Sequence, residues 1–423
     1  MSSDRPRRSL TQLKGSVKAT VARRHKPDYW ILTLSALLMG IGLVVVYSIS
    51  PALSASQHIS QSYFITKQLI AVALGAISFF IAASIPLTAW RHAAKPLAIA
   101  ALVGCLLVMV TPINAAYPAH RWIRMGGFSF QVAELIKLAL LVWTASFLSL
   151  QWQKGKLADF NATLRPLLIL LAGVGLIVAR FQSDLGSTGV MIAMMAAMAY
   201  TAGIPLKRIA IIVGLVGVLL ILAISSSPYR RARLTTFLHP ETNCQNSGYQ
   251  ECQALISVGS GGVFGLGLGY SVQAYGYLPE ASNDSIFAII AEKFGFIGTV
   301  SLLVIYAAFI TRLKYIIERT SDQFNRLLVV GVLAWLSTQM IINIGAMTGL
   351  LPLKGITLPL VSQGGTSLIF LTAALGLVFQ ISRYTSYQVT EPQAKDEGFP
   401  HNSLDGRRLG RAYNSAIVTR PRA

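Results

Sequence analysis

The sequence predicts an all-α polytopic membrane protein, with ten transmembrane helices and one large extracytoplasmic loop between the seventh and the eighth. Three observations predict it. Of 423 residues, 53% are hydrophobic and only 12% charged, where a soluble chain carries about a quarter charged residues. The apolar residues fall in runs of roughly 20, the length that crosses a bilayer core. Lysine and arginine gather in the two tails and in alternate loops, an asymmetry that sets orientation in the membrane.

The runs lie at about 29–50, 64–86, 94–112, 133–151, 163–181, 187–203, 207–225, 285–311, 325–349 and 364–384. The first follows a basic, polar segment, residues 1–28, and is long enough to stay as an anchor and not be cleaved as a signal peptide. That tail carries Arg5, Arg7, Arg8, Lys14, Lys18, Arg23, Arg24 and Lys26. Arg91 and Lys95 sit between the second and third runs, and Lys154, Lys156 and Arg165 between the fourth and fifth. The sixth run is short and rich in Ala and Met; Lys207 and Arg208 separate it from the seventh. Arg312, Lys314, Arg319 and Arg326 lie between the eighth and ninth. The positive-inside rule therefore puts these loops and both termini in the cytoplasm. Residues 29–385 read as one ten-span domain, flanked by cytoplasmic tails at 1–28 and 386–423. The net charge of +20 belongs with an anionic leaflet and not with nucleic acid.

Four polar segments fall on the opposite side: "HRWIRMGGFSFQ", "RFQSDLG", the long loop 226–284, and "GLLPLKGITLPLVSQGG". Irregular backbone near a bilayer must be buried in protein or line a wet cavity, so the four are expected to converge over one outward-facing cavity. In "SPYRRARLTTFLHP", Arg230, Arg231 and Arg233 are either tolerated in a long translocated loop or form an anion site of guanidinium forks. Glu134 and Lys137, three apart, share one helix face as an ion pair or as substrate contacts. Asp184 is placed to cap the sixth span. The glycines of "GSGGVFGLGLG" match no nucleotide-binding spacing and read as a tight re-entrant or surface turn. Cys244 and Cys252 share the long loop, and a disulfide between them is expected in an oxidising compartment. Glu280 reads as a loop-positioning residue at the mouth of the eighth span, and Asp284 as a wet carboxylate near the bilayer surface. Glu292 and Lys293, deeper in that run, are expected to pair with other polar groups. The six histidines are scattered, without a zinc-binding spacing, so no protein metal cage is expected.

Several ordered motifs carry a resemblance. "RWIRMGGFSFQVAELIK", "QSDLGSTG", "YRRARLTTFLHP", the stretch from "GYQECQALISVGSGG" to "PEASNDSIFAIIAEKFGFIG", and "NIGAMTGLLPLKGITLPLVSQGGTSL" resemble the SEDS family (shape, elongation, division and sporulation). The similarity covers about 29–385, and "YRRARL" and "LPLKGITLPL" are closer to the division branch than to the elongation branch. The resemblance implies a ten-span peptidoglycan glycosyltransferase of the bacterial inner membrane, acting at the division septum. Its substrate would be lipid II. Its partners would be a class B penicillin-binding transpeptidase and other division membrane proteins. The family's essential aspartate falls on Asp284. Ser282, Asn283, Ser285, His239 and Gln363 depart from the family pattern, as does "QVAE" around Glu134.

The chemistry implied is attack of an acceptor sugar hydroxyl on a donor anomeric carbon with a pyrophosphate leaving. Such a leaving group needs charge stabilisation and no acid, so one general base suffices. Asp284 is the expected base, giving a β-1,4-linked product with inversion. Arg230, Arg233 and Lys354, with Lys137 and Arg121 as further candidates, are expected to face the pyrophosphate. Glu280, Glu134 and Asp184 would support them. A divalent cation, Mg or Mn, is expected with the pyrophosphate, and Asp284 could touch it. Two other readings stay open at this point: a lipid-linked precursor flippase or transporter, or an elongation-type polymerase. A scaffold that only recruits the transpeptidase is a third.

Overall fold

A helix that crosses a bilayer satisfies its backbone internally, so apolar runs of this length have one stable form. The computed structural model describes residues 25–110, 121–125, 128–225, 231, 235–238, 244–246 and 248–384. Its helices are α1 (Tyr29–Ser56), α2 (Tyr63–Ser84), α3 (Leu87–Val110) and α4 (Val132–Gln153). They are followed by α5 (Arg165–Gly175), α6 (Leu185–Ala202), α7 (Leu206–Ser225) and α8 (Tyr249–Ser260). The last three are α9 (Ile286–Arg319), α10 (Gln323–Met347) and α11 (Gly365–Ile381). Wider π-type turns flank α5 at Phe160–Leu164 and Leu176–Phe181. A short antiparallel hairpin, β1 (Trp122–Met125) with β2 (Phe128–Gln131), leads into α4. Each of the ten apolar runs forms a helix, and nine of those helices among the described residues are long and apolar enough to span a membrane. α7 is the tenth.

α4, α10 and α11 form the buried centre, while α1, α2 and α3 leave broad apolar faces outward. α11 packs along α2, α10 along α6, and α3 along α4. The two ends of the spanning unit meet. Asp28 caps α1 by accepting from the Trp30 N–H, pairs with Arg312 of α9, and its own N–H donates to Ser382 Oγ at 2.9 Å. The His25 N–H donates to the Arg383 carbonyl at 3.0 Å.

The eighth apolar run departs from the continuous helix that its sequence predicts. α9 breaks at Gly295, where φ is 63° and ψ −160°. An isolated glycine in an apolar run costs a helix only about 1 kcal/mol, so the break needs another cause. That cause is the loop after α8. The Leu266 and Gly267 N–H groups donate to the Glu292 and Lys293 carbonyls at 2.8 and 3.0 Å. In return the Gly262 and Val263 carbonyls accept from the Phe296 and Ile297 N–H groups at 2.9 and 3.1 Å. The glycine-rich turn is thus threaded into the helix interruption. A Cβ on Gly265 would stand 2.2 Å from the Lys293 carbonyl oxygen, and one on Gly295 would stand 2.3 Å from the Gly265 nitrogen. Both positions therefore require glycine. Residues 261–267 of the long loop therefore sit against α9 about 14 Å from its first residue, at 1.5 Å per residue. Exposed Val263, Phe264 and Leu266 on this turn suit contact with lipid.

Candidate active site

The four polar segments do come together at one end of the bundle. Arg121, before the hairpin, donates from Nε to the Gln182 carbonyl at 2.8 Å, and its other nitrogen reaches the Ser183 carbonyl. Asp184 caps α6: its carboxylate accepts from the Ser187 N–H at 2.9 Å, from the Ser187 hydroxyl at 2.8 Å and from Gln131 Nε2 at 3.3 Å. Thr366, at the start of α11, donates to the Ser129 carbonyl at 3.0 Å and ties the hairpin to that helix. A Cβ on Gly186 would lie 3.1 Å from Lys354 Cβ, so the α10–α11 loop rests on the start of α6.

Asp284 stands where the long loop turns into α9, whose cap residue is Ser285. The turn is held locally. Glu280 takes φ 51°, its carbonyl accepts from the Asn283 and Ser285 N–H groups, and its carboxylate accepts from Asn283 Nδ2. That is the loop-positioning role the sequence suggests. Asp284 is 8% exposed, buried by its neighbours where the sequence suggests a wet carboxylate. Gln250 of α8 lies beside it, with Nε2 at 3.4 Å from Oδ1 and at 3.1 Å from the Ser285 hydroxyl. On the other side is Gly355, with φ 63°; a Cβ there would lie 3.5 Å from Asp284 Oδ2. Half-buried Lys354 is the neighbouring residue. The Lys354–Gly355 backbone therefore runs beside the Asp284 carboxylate. The Gln363 N–H donates to the Ser282 carbonyl at 2.8 Å, joining the far end of the α10–α11 loop to the same turn. Upstream, α8 is anchored at its start by the Cys244–Cys252 disulfide, with Cα atoms 5.6 Å apart.

Two cations expected to face the pyrophosphate are engaged elsewhere. Lys137 is buried, 2.7 Å from Glu134 Oε1 and 3.0 Å from Gln339 Oε1, with its ammonium over the Trp335 ring. A buried ion pair holds its partners tightly, since separating them leaves an uncompensated charge at a cost of about 3–5 kcal/mol. Arg121 is a staple between two loops. Lys354 precedes Gly355 in the segment beside Asp284, with its Cβ against the start of α6, while Arg230 and Arg233 lie outside the described residues. Glu292 and Lys293 resolve into structural groups. Glu292 accepts from the Ser271 hydroxyl at 2.6 Å and from the Val272 and Gln273 N–H groups at 2.8 and 3.1 Å. Lys293 donates to the Leu268 carbonyl at 2.6 Å. Together they pin the glycine-rich segment to α9.

Sequence reasoning passed over Gln339 and Asn343. Gln339 donates to the Thr357 carbonyl at 3.0 Å, and Asn343 to the Asp284 and Ile356 carbonyls. Their signal was present: two amides four apart on one face of an apolar span. Among the described residues no three His, Cys, Asp or Glu side chains gather to hold a metal. One hard carboxylate oxygen set, Asp284, fits a Mg-type ion that keeps its waters and takes its other ligands from phosphate oxygens.

The comparisons agree with this architecture. The family described as FtsW/RodA/SpoVE cell cycle proteins matches residues 29–387. Stage V sporulation protein E of Bacillus subtilis is 35% identical over 368 residues, covering 86% of this chain and 99% of its own length. The probable peptidoglycan glycosyltransferase FtsW of Thioalkalivibrio sulfidiphilus is 39% identical over 360 residues, covering 84% of this chain and 89% of its own. Among solved structures, a chain of a peptidoglycan synthase complex that coordinates polymerization and crosslinking superposes with a TM-score of 0.67 at 26% identity, covering 86% of this chain and 99% of that one. The rod shape determining protein RodA of Thermus thermophilus gives 0.58 at 26% identity, covering 84% and 97%.

Proposed function

This chain belongs to the FtsW/RodA/SpoVE family of cell cycle proteins, and from that premise we propose that it is an inverting peptidoglycan glycosyltransferase that polymerises lipid II at the division septum. The observation that carries the reading is the close approach of Gly355, next to Lys354, to the Asp284 carboxylate at one end of the bundle. A lipid-anchored pyrophosphate donor would meet them at the membrane surface.

Orientation follows from charge and connectivity. Asp28 and Ser382 are hydrogen-bonded at one end, which supports an even number of crossings between them. Nine helices among the described residues qualify by length and apolarity, and α7 is the proposed tenth crossing. The positive-inside rule supports placing the loops bearing Arg91, Lys154, Lys207 and Arg319 in the cytoplasm with both tails, with the site on the outer side.

Asp284 accepts the proton of the acceptor sugar hydroxyl as that oxygen attacks the donor anomeric carbon. The bond from that carbon to the pyrophosphate oxygen breaks, and inversion turns an α-linked donor into a β-1,4-linked product. Lys354, with Arg230 and Arg233 of the long loop that ends at Asp284, stabilises the leaving pyrophosphate. A divalent cation, Mg or Mn, held by the pyrophosphate and touched by Asp284, would add to that stabilisation. Similarity to the division relatives favours septal over elongation-type synthesis. A class B transpeptidase is the proposed partner, in line with the synthase complex that this fold resembles.

The test is purified full-length protein in lipid vesicles with labelled lipid II, alone and with a class B transpeptidase. Glycan chains are expected. Lipid movement without polymer would establish a transporter, and neither product a scaffold. Lys354→Ala, Arg230→Ala or Arg233→Ala should each weaken polymerisation about 10–100-fold, the loss expected for one charge-assisted contact of about 1.5–3 kcal/mol. Unchanged kinetics in all three folded variants would remove the anion-site assignment.

A further inference from the structure

Base and cation in this site sit on different segments of chain. Asp284 ends the loop that precedes α9, and Lys354 lies in the loop between α10 and α11. Their relative position needs a fixed link, and one side chain supplies it. Asn343, on α10 and 2% exposed, donates from Nδ2 to the Asp284 carbonyl at 2.6 Å and to the Ile356 carbonyl at 2.7 Å. An amide nitrogen carries two hydrogens, so both are used on the two segments. The flipped amide would set an oxygen against two carbonyl oxygens, which fixes the orientation. The remaining Oδ1 is buried and accepts from no described group. A buried acceptor left without a partner is costly, yet the position is filled by a residue whose two donors are both engaged.

We propose that Asn343 is a positioning residue for the polymerase reaction, setting the Asp284 carboxylate at its working distance from the Lys354 segment by cross-linking the two backbones. The inference rests on the functional reading of Asp284 above. Asn343 touches neither carboxylate nor substrate; it acts through the main chain of Asp284 and through Ile356, two residues beyond Lys354. Gln339, one turn away on the same face, holds the Thr357 carbonyl and continues the clamp. Rigid support of this kind matters because displacing a reacting group by about 1 Å costs about 10²-fold in rate.

The donor count can be titrated. Asn343→Ser keeps one donor, Asn343→Ala none, and Asn343→Asp puts a carboxylate against the two carbonyls. Turnover and KM for labelled lipid II are measured with full-length protein in nanodiscs, per folded molecule, beside thermal unfolding. Expected are stepwise falls in kcat, about 10-fold for Ser and about 10²-fold for Ala and Asp, with KM changed less than about threefold. Combining Asn343→Ala with Asp284→Asn should lower the rate no further than Asp284→Asn alone. Parental kcat in folded Asn343→Ala, or a rise in KM at constant kcat, would overturn the clamp. If the Ala and Asp variants do not fold, the Ser variant decides on the same two criteria. Parental activity in Asp284→Asn would instead remove the underlying reading, so the two failures are separable.

Discussion

Asp284→Asn is expected to abolish glycan polymerisation, a loss of at least about 10²-fold, while folding, membrane insertion and partner binding stay near parental. The scale is that of removing a positioned general base. Asparagine keeps the size of aspartate, and the main-chain carbonyl that Asn343 holds is unchanged. What disappears is the negative charge and the ability to accept a proton. Glu280→Gln should cost much less, because Glu280 holds its turn largely through its backbone carbonyl, which accepts from Asn283 and Ser285. The measurement is lipid II polymerisation by purified variants. An Asp284→Asn protein turning over at the parental rate would sink the mechanism.

Glu292→Ala should be the most destabilising substitution in the membrane region. Three short hydrogen bonds, from Ser271, Val272 and Gln273, converge on its carboxylate, and a longer one comes from Ser257. Hydrogen bonds to a charged group contribute about 1.5–3 kcal/mol each, so three of them amount to about 4–9 kcal/mol before relaxation. That approaches the whole stability of many domains. Little folded protein should survive mild heating in detergent, read as the monodisperse fraction on size exclusion. Glu292→Gln keeps an acceptor oxygen and should fall between. Glu292→Ala protein as heat-resistant as the parent would show that the glycine-rich segment is held by its backbone contacts alone.

The spans were legible because crossing a bilayer demands long apolar runs, and each run became a helix. Local pairings were legible too: Asp184 caps the helix that begins at its next residue, and Glu134 meets Lys137 one turn on. Cys244 and Cys252 are close in sequence and joined in space. The break in α9 was not legible, since its cause is a turn some thirty residues earlier, and a lone Gly295 in an apolar run reads as helix interior. Lys137 was assigned to the anion-facing set because sequence gives depth but not direction; its head group turns inward to Gln339 and Trp335. Asn343 was passed over for a related reason, since its two partners come from separate loops. Asp284 was singled out by its motif, and the structure adds the Gly355 and Gln250 walls around it.

The threaded turn at Gly295 constrains the order of biogenesis. Its donors, Leu266 and Gly267, need the carbonyls of Glu292 and Lys293, which leave the ribosome later. Until then water must solvate those N–H groups, because hydrocarbon offers no acceptor. Residues 261–267 are therefore expected to stay solvated during their own synthesis and to seat only after α9 has been made. A thiol placed by Phe264→Cys should accordingly react with an impermeant reagent in released chains truncated before residue 292 and become protected in the full-length protein; protection in the truncated chains would refute this order.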